Sequence, residues 1–506
     1  MRHSRRVFAN SFWSVAQVAV SGALYLILYR FLYRTVGLDQ LGVWSLVMAW
    51  TSINNVASFG LGGGTTYFIP KHLARGERAY VTDLVQTAAL TTAGAIGAGL
   101  VLFYPLVRLV LGAVIPDEGL FALALSILPH AFASVWLGAT AGVVYASLDG
   151  FQRVDLRNAV LVLGAVVFLG AALVLVPRHG LVGLAEAQLL QAAVVLVASW
   201  ALVRHLMPEL PWLPWRWSRE AFREMIGYSV RFQALTFSQM LFEPVTKSLL
   251  AVFGGVSATG LFEMANRLVV QLRAFVVAAY SALIPTLTDI GETRPELLRG
   301  IYETSCRYMA ALLALSLPLL VAFAPLVSRL WLGEYEPAFI LFMILLAVGW
   351  FANLAITPAY VSYLGAGDLR WVLRSHVVIA VLNVALGAVL GAMLGGAGVV
   401  LGFVVALVAG SWLVPLAYAR EHEGSGRHLW TSPATLRLAA CALLGMTGVL
   451  VLVAVGRATI APEVLTAAAL AVYATATAWP AWQHPARREL SEWVQRAVGA
   501  SRPHQV

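Results

Sequence analysis

Of 506 residues, 60% are hydrophobic and only 12% charged, and the mean hydropathy is +0.80. A soluble chain carries roughly 25% charged residues, so this one cannot cover itself in water, and lipid must be the solvent for most of it. The net charge of +9 does not point to nucleic acid, because the cations sit in short connections between apolar runs and no basic run with interleaved aromatics stands clear of them.

The first apolar run follows Arg2, Arg5 and Arg6, as in a signal sequence, but it is too long for a cleaved segment and reads as a retained helix. Further runs follow, each near the roughly 20 residues that cross about 30 Å of hydrocarbon. They fall at 11–33, 41–69, 83–110, 119–147, 158–176, 181–203, 226–253, 259–287, 303–330, 336–364, 372–394, 397–419, 436–456 and 463–482. The fold class expected is therefore an all-α polytopic membrane protein with about fourteen transmembrane helices, since a barrel would show alternating strands of about ten residues. With both termini cytoplasmic, 24 of the 34 Lys and Arg residues lie at cytoplasmic ends and 6 at outer ends. One missed helix would invert everything after it, so the asymmetry supports the count. Cys306 and Cys441 both lie near cytoplasmic helix ends, where a disulfide is not expected. No loop is long enough for a soluble domain, and there is no Walker motif, HExxH or Cys/His cluster. No catalytic residue, metal site or cofactor is expected. Asp117 and Glu118 form the acid pair of the outer loops, and at a helix start they read as a cap.

The longest cytoplasmic connection, His205 to Glu224, carries three prolines and three tryptophans and reads as an interfacial linker. It divides the chain into an N-lobe (1–204, six helices), the linker (205–224), a C-lobe (225–420, six helices), an accessory helix pair (421–482) and a cytoplasmic tail (483–506). The lobes echo each other. Tyr145 and Ser147 precede DGFQRVDLRN in the first, and Tyr360 and Ser362 precede LGAGDLRWVLR in the second. Each has a glycine, an acid and two arginines entering the next helix. Repeated lobes imply a transporter with its substrate between them.

Polar residues within the spans mark where lipid does not face. In the first span Asn10, Ser14, Gln17, Ser21 and Tyr25 share a face, which suits either sugar hydroxyls or helix packing. Arg30, off that face near the outer end, reads as an anchor. The second span has Asn54 and Asn55, then Gly60, Gly62, Gly63 and Gly64, a run that allows close helix approach or a hinge. His130, Glu186, Asn353, His376 and Asn383 are isolated and read as interhelical contacts, with a proton relay at Glu186 as the alternative. In the span 226–253, Ser229, Gln233, Thr236, Gln239, Glu243 and Lys247 fall within an arc of roughly 120° at about 100° per residue. Arg231 lies on nearly the opposite face and reads as a snorkelling anchor. The next span carries Glu263, Asn266, Arg267, Gln271 and Arg273. Glu243 with Lys247, and Glu263 with Arg267, are spaced i,i+4 and can neutralise each other within their helices. Arg273 has no acid at i±3 or i±4 in its helix.

Arg34-Thr-Val-Gly37-Leu-Asp-Gln-Leu-Gly42-Val-Trp44, Phe59-Gly-Leu-Gly62 with Tyr67-Phe-Ile-Pro70-Lys71, and Thr259-Gly-Leu-Phe-Glu263-Met-Ala-Asn266-Arg267-Leu with Ile284-Pro285 occur in this order. In these segments the chain resembles the oligosaccharide and polysaccharide flippases of the multidrug/oligosaccharidyl-lipid/polysaccharide exporter superfamily. The resemblance implies a two-lobed cavity that opens alternately to each leaflet of a bacterial inner membrane. It implies an undecaprenyl-pyrophosphate oligosaccharide as cargo and partner proteins of polysaccharide assembly. On that reading Arg273, Arg267 and Lys247 form a cationic wall for pyrophosphate. Glu243, Glu263, Asn266, Gln239, Thr236, Gln17, Ser21, Tyr25 and Asn54 line the cavity. A flippase for the lipid-linked peptidoglycan precursor, or a cation-coupled drug antiporter of the same superfamily, are the alternatives. An H+ or Na+ gradient or the membrane potential could drive any of them. A membrane enzyme is disfavoured by the short outer loops.

Overall fold

The computed structural model describes residues 2–52, 60–227, 242–281, 298–366, 368–422, 433–456, 461–485 and 487, with side chains from Ala16 onward except at 275, 276, 278–281 and 462. The described chain is helical: α1 (Arg2–Ser52), α2 (Leu61–Ala74), α3 (Arg78–Val114), α4 (Glu118–Gly150), α5 (Val154–His179), α6 (Leu181–Leu206), α7 (Phe242–Gly254), α8 (Val256–Ser281), α9 (Leu298–Val327), α10 (Pro337–Ala355), α11 (Thr357–Gly365), α12 (Arg370–Ser411), α13 (Leu413–Glu421), α14 (Pro433–Gly456) and α15 (Pro462–Gln483). Ten of the described helices are long and apolar enough to cross a membrane, and the chain is a multi-pass membrane protein. Two contain a reversal. Gly37 (φ 80°) breaks α1 and Gly395 (φ 64°) breaks α12, each in a left-handed conformation that a Cβ would disfavour. Both breaks fall in the connections expected between adjacent spans. The spans 41–69, 226–253 and 259–287 run partly through residues outside the described set, and so do Asn54, Ser229, Arg231, Gln233, Thr236, Gln239 and Ile284-Pro285.

Two contact units are present. The first comprises Met1–Ala279 and His376–Ala406, the second Tyr280–Ser375 and Leu407–Val506. Within the first, α4 packs along α6, α3 and α2, and α5 packs on α6 and α1. Asp117 caps α4 by accepting from the Leu120 amide at 2.7 Å, as its position implied. Two glycines set the approach of α1 to α8. A Cβ on Gly42 would lie 2.0 Å from the Val256 carbonyl oxygen, and one on Gly260 would lie 2.5 Å from that of Leu38. The first and last motifs that carry the family resemblance are thus two sides of one backbone contact. Gly62 of α2 serves packing as well: a Cβ there would lie 3.4 Å from that of Ala146 of α4, whose carbonyl accepts from Thr66 at 3.1 Å. The polar residues read as interhelical contacts include Asn383, which bonds Thr246 at 2.9 Å, and Glu186, which pairs with His179 at 2.7 Å.

The linker is strapped to α3. Gln86 accepts from the Trp215 and Arg216 amides at 3.2 and 3.3 Å, Thr87 accepts from the Ser218 amide at 2.9 Å, and Trp217 donates to Thr91 at 3.0 Å. At its end, Glu224 ties the end of α2 to α3: Lys71 lies 2.9 Å away, His72 3.1 Å, and the Tyr80 hydroxyl donates at 2.8 Å. Burial pushes the Glu224 carboxyl upward, but hydrogen bonds from Lys71, Tyr80 and His72 outweigh it and hold the group below its ordinary value of 4.5.

In the second unit α9 is the central element, flanked by α10, α11, α14 and α15. The Tyr473 hydroxyl of α15 donates to the Ala314 and Leu315 carbonyls of α9 at 2.7 and 2.9 Å, carbonyls that Pro318 and its neighbourhood leave available. Asn353 donates to Ser411 at 2.8 Å. Tyr363 and Trp371 both donate to Glu421, at 2.7 and 2.8 Å.

Candidate functional site

Within the first unit, α1, α2, α4, α5, α6, α7 and α8 surround a cavity of about 760 Å³. A space of this size among membrane-spanning helices, with ionisable groups in its wall, is where function is expected.

One wall is charged. Glu263 of α8 is its centre, with a side chain only 6% exposed. Its Oε1 accepts from the Tyr29 hydroxyl at 2.8 Å and from Arg267 Nη2 at 2.7 Å. Its Oε2 accepts from the Ser45 hydroxyl at 2.9 Å and lies 2.8 Å from Lys247 Nζ. Four donors on two oxygens fill the acceptor capacity of a carboxylate. Lys247, 4% exposed, also contacts Glu243 at 3.1 Å. The i,i+4 pairs expected from spacing are both present, and the Lys247–Glu263 contact joins them across two helices. The two cations are matched by two carboxylates, so the cluster is formally neutral. A buried charge costs several kcal/mol unless paired, and this arrangement leaves none of them alone.

Exposure distinguishes the cations. Lys247 is enclosed, whereas the Arg267 side chain is 43% exposed and lines the cavity. Both of its contacts, with Glu263 and with the Tyr29 hydroxyl at 3.2 Å, are made by Nη2. Its guanidinium lies 5.7 Å from the Tyr25 ring centroid and 5.4 Å from that of Tyr29, positions that hold it by cation–π attraction. Arg267 is therefore a preorganised fork with one edge anchored. Glu243, 53% exposed, is the carboxylate open to the same space.

The remaining walls are uncharged. Ser134, Gly138, Gly142 and Tyr145 come from α4, Gln188 and Gln191 from α6, Phe168 from α5, Trp44 from α1, and Gly60, Gly62 and Gly63 from the start of α2. Tyr25 meets Phe168 edge-on at 6.2 Å.

Of the residues expected to form the site, Arg267, Lys247, Glu243, Glu263 and Tyr25 meet here. Arg273 lies farther along α8, half-buried, and does not line this cavity. Asn266 is buried beside the cluster, and Gln17 donates to Ser21 at 3.2 Å within α1, also away from the lining. Gln239, Thr236 and Asn54 lie outside the described residues. Tyr29, Ser45, Gln188 and Gln191 were not expected. Tyr29 stands one turn after Tyr25 on the face named for the first span, so continuing that stripe by four residues would have found it. Among the described residues, no group of His, Cys, Asp or Glu is arranged to hold a metal ion.

A model of the family described as polysaccharide biosynthesis protein matches residues 31–335. No curated protein matches by sequence. Among solved structures, the chain is similar to an inward-facing multidrug resistance MATE family transporter of the MOP superfamily, with TM-score 0.69 and 16% identity over 83% of this chain and 99% of that one. It is equally similar to the lipid II flippase MurJ in an inward closed conformation, with TM-score 0.69 and 11% identity over 93% of this chain and 98% of that one. The Vibrio cholerae MATE transporter VcmN in its bent form gives TM-score 0.56 and 18% identity over 84% and 97%. At these identities the likeness shows a shared fold.

Proposed function

Since this chain belongs to the polysaccharide biosynthesis protein family, we propose that it is a flippase carrying an undecaprenyl-pyrophosphate-linked oligosaccharide from the inner to the outer leaflet of a bacterial cytoplasmic membrane. Surface polysaccharide biosynthesis is the process it serves, beside the proteins that polymerise and assemble the product. Both termini face the cytoplasm on this reading, and the two six-helix lobes alternate access to the cavity. The observation that carries it is Arg267, a guanidinium half-open to a membrane-embedded cavity and held by one edge to Glu263.

A pyrophosphate matches the geometry of a guanidinium fork and needs only binding to cross, so no bond is made or broken. Cargo phosphate and the Glu263 carboxylate are competing acceptors for Arg267. Entry of cargo would draw Arg267 toward the cavity and weaken its bond to Glu263, which also binds Tyr29 and Ser45 of α1. Loading is then coupled to the contact between α1 and α8, the kind of differential contact that shifts a two-state equilibrium. A proton or sodium gradient, or the membrane potential, supplies the direction.

A second reading, a flippase for the lipid-linked peptidoglycan precursor, draws support from the MurJ likeness, which covers 93% of the chain. A third, a cation-coupled drug antiporter, would use Glu243, the open carboxylate. The test is the leaflet distribution of lipid-linked oligosaccharide in cells depleted of the protein. Build-up in the inner leaflet with loss of surface polysaccharide is expected. Build-up of peptidoglycan precursor, or a change only in drug susceptibility, would replace the reading with the second or third.

A further inference from the structure

We propose that the uncharged wall built by α4 and α6 is a carbohydrate subsite that binds neutral sugars, apart from the charged wall that holds the phosphate. The inference rests on the flippase reading and specifies how the cargo is gripped.

Three observations carry it. First, Gln188 and Gln191 stand nearly one turn apart on α6, with Tyr145 of α4 in the same lining. Side-chain amides and hydroxyls each combine a donor with an acceptor, which is what a sugar diol requires. Second, the Gln188 Oε1 is buried and has no hydrogen-bond partner among the described residues. An unmet buried acceptor is costly, and a hydroxyl donor would recover that cost once the amide turns to the cavity. Third, the wall has an open floor. A Cβ on Gly138 would meet nothing within 4 Å, and the same holds for Gly63 across the cavity. A glycine in mid-helix is destabilising against alanine, so its placement here favours the space it leaves. The Phe168 ring in the same lining offers an apolar surface to sugar C–H groups.

The sign of the preference follows from charge. Between Gly119 and Leu148 of α4 there is no Lys, Arg, Asp or Glu, and the part of α6 in the cavity contributes only amides. An acidic sugar would find no counter-ion on this wall and would be desolvated without compensation.

The experiment uses the full chain in nanodiscs. Its probes are a polyprenyl pyrophosphate without sugar, the same lipid bearing one N-acetylglucosamine or one galactose, and the glucuronic acid analogue. The readout is the ratio of Kd values for sugar-free and glycosylated lipid. For the wild type, at least one neutral sugar should tighten binding about tenfold and the acidic one should not. Gln188→Leu and Gly138→Leu should each bring that ratio to near one. Gly138→Leu removes a helix glycine and enters open space, so loss of fold is not expected. A ratio near one for every sugar in the wild type, a preference for the acidic sugar, or a ratio preserved in both variants would overturn the subsite and leave the flippase reading standing. Failure of the sugar-free lipid to bind the wild type would overturn the flippase reading itself, and the subsite with it.

Discussion

Each contact unit has a buried cluster rich in tyrosine, and the two have opposite outcomes. In the first, Tyr25 and Tyr29 flank Arg267, and the cluster borders about 760 Å³ of open space. In the second, Tyr302, Tyr363 and Tyr418 pack on one another and the exposed His422 stacks on Tyr418, with ring centroids 4.4 Å apart for Tyr302–Tyr418 and 4.1 Å for Tyr418–His422. The cavity beside that cluster, next to Cys306, is only about 20 Å³, room for about one water. The difference is the buried charge. Where Glu263, Lys247 and Arg267 are placed among the rings, the helices must leave an opening or satisfy every charge internally, and this chain does both. Where the rings meet one another and, through Tyr363, only the exposed Glu421, they close the gap. The tyrosine cluster that borders open space is thus the one with buried ion pairs among its rings.

The contrast can be broken most forcefully at its centre. Glu263→Ala would leave Lys247, 4% exposed, with only the exposed Glu243 as partner. Breaking a buried pair costs about 3–5 kcal/mol, so thermal unfolding in detergent should show a large loss of Tm. A change of a degree or less would mean that the cluster does not hold the first unit together. Arg267→Ala should separate function from stability. Its side chain is half-open, so the Tm loss should be smaller than for Glu263→Ala, while export of surface polysaccharide falls about tenfold or more. Arg267→Lys should recover little of it, because a point charge lacks the fork. Arg273→Ala, away from the cavity, should reduce export less than Arg267→Ala, and the reverse order would relocate the phosphate site.

In the second unit Tyr473→Phe removes only a hydroxyl on two α9 carbonyls. It should cost about 1 kcal/mol in stability with export unchanged. The smallest effect is at Glu224, outside the membrane. Its carboxyl titrates lower in the fold than in the unfolded chain, so its stabilisation is complete above the ordinary value of 4.5 and fades as pH falls through the lowered one. The Tm gap between wild type and Glu224→Gln should therefore be full at neutral pH and close progressively as pH falls below 4.5. A gap that persists in acid would mean that shape, not charge, holds the linker.

Much of the fold was legible because hydropathy registers burial in lipid directly. The breaks at Gly37 and Gly395 fell where apolar runs met, and Asp117 was readable as a cap because a helix start needs an acceptor. The i,i+4 pairs were readable because helical periodicity shows which residues share a face. It does not show which helix lies opposite, so the Lys247–Glu263 bridge and the Tyr29 and Ser45 contacts were invisible. Gln188 and Gln191 were missed for a related reason: a single amide in an apolar helix looks the same whether it glues two helices or faces a void.

At Gly42 and Gly260 main chain touches main chain, with no rotamer between them to yield. Such a joint has no slack. Any displacement of α8 near Val256 is handed to the second segment of α1 undiminished, so the pair behaves as a fulcrum rather than a cushion. A single methyl at Gly42 would then act as a wedge driven under a lever, holding these two helices apart without touching the cavity they help enclose.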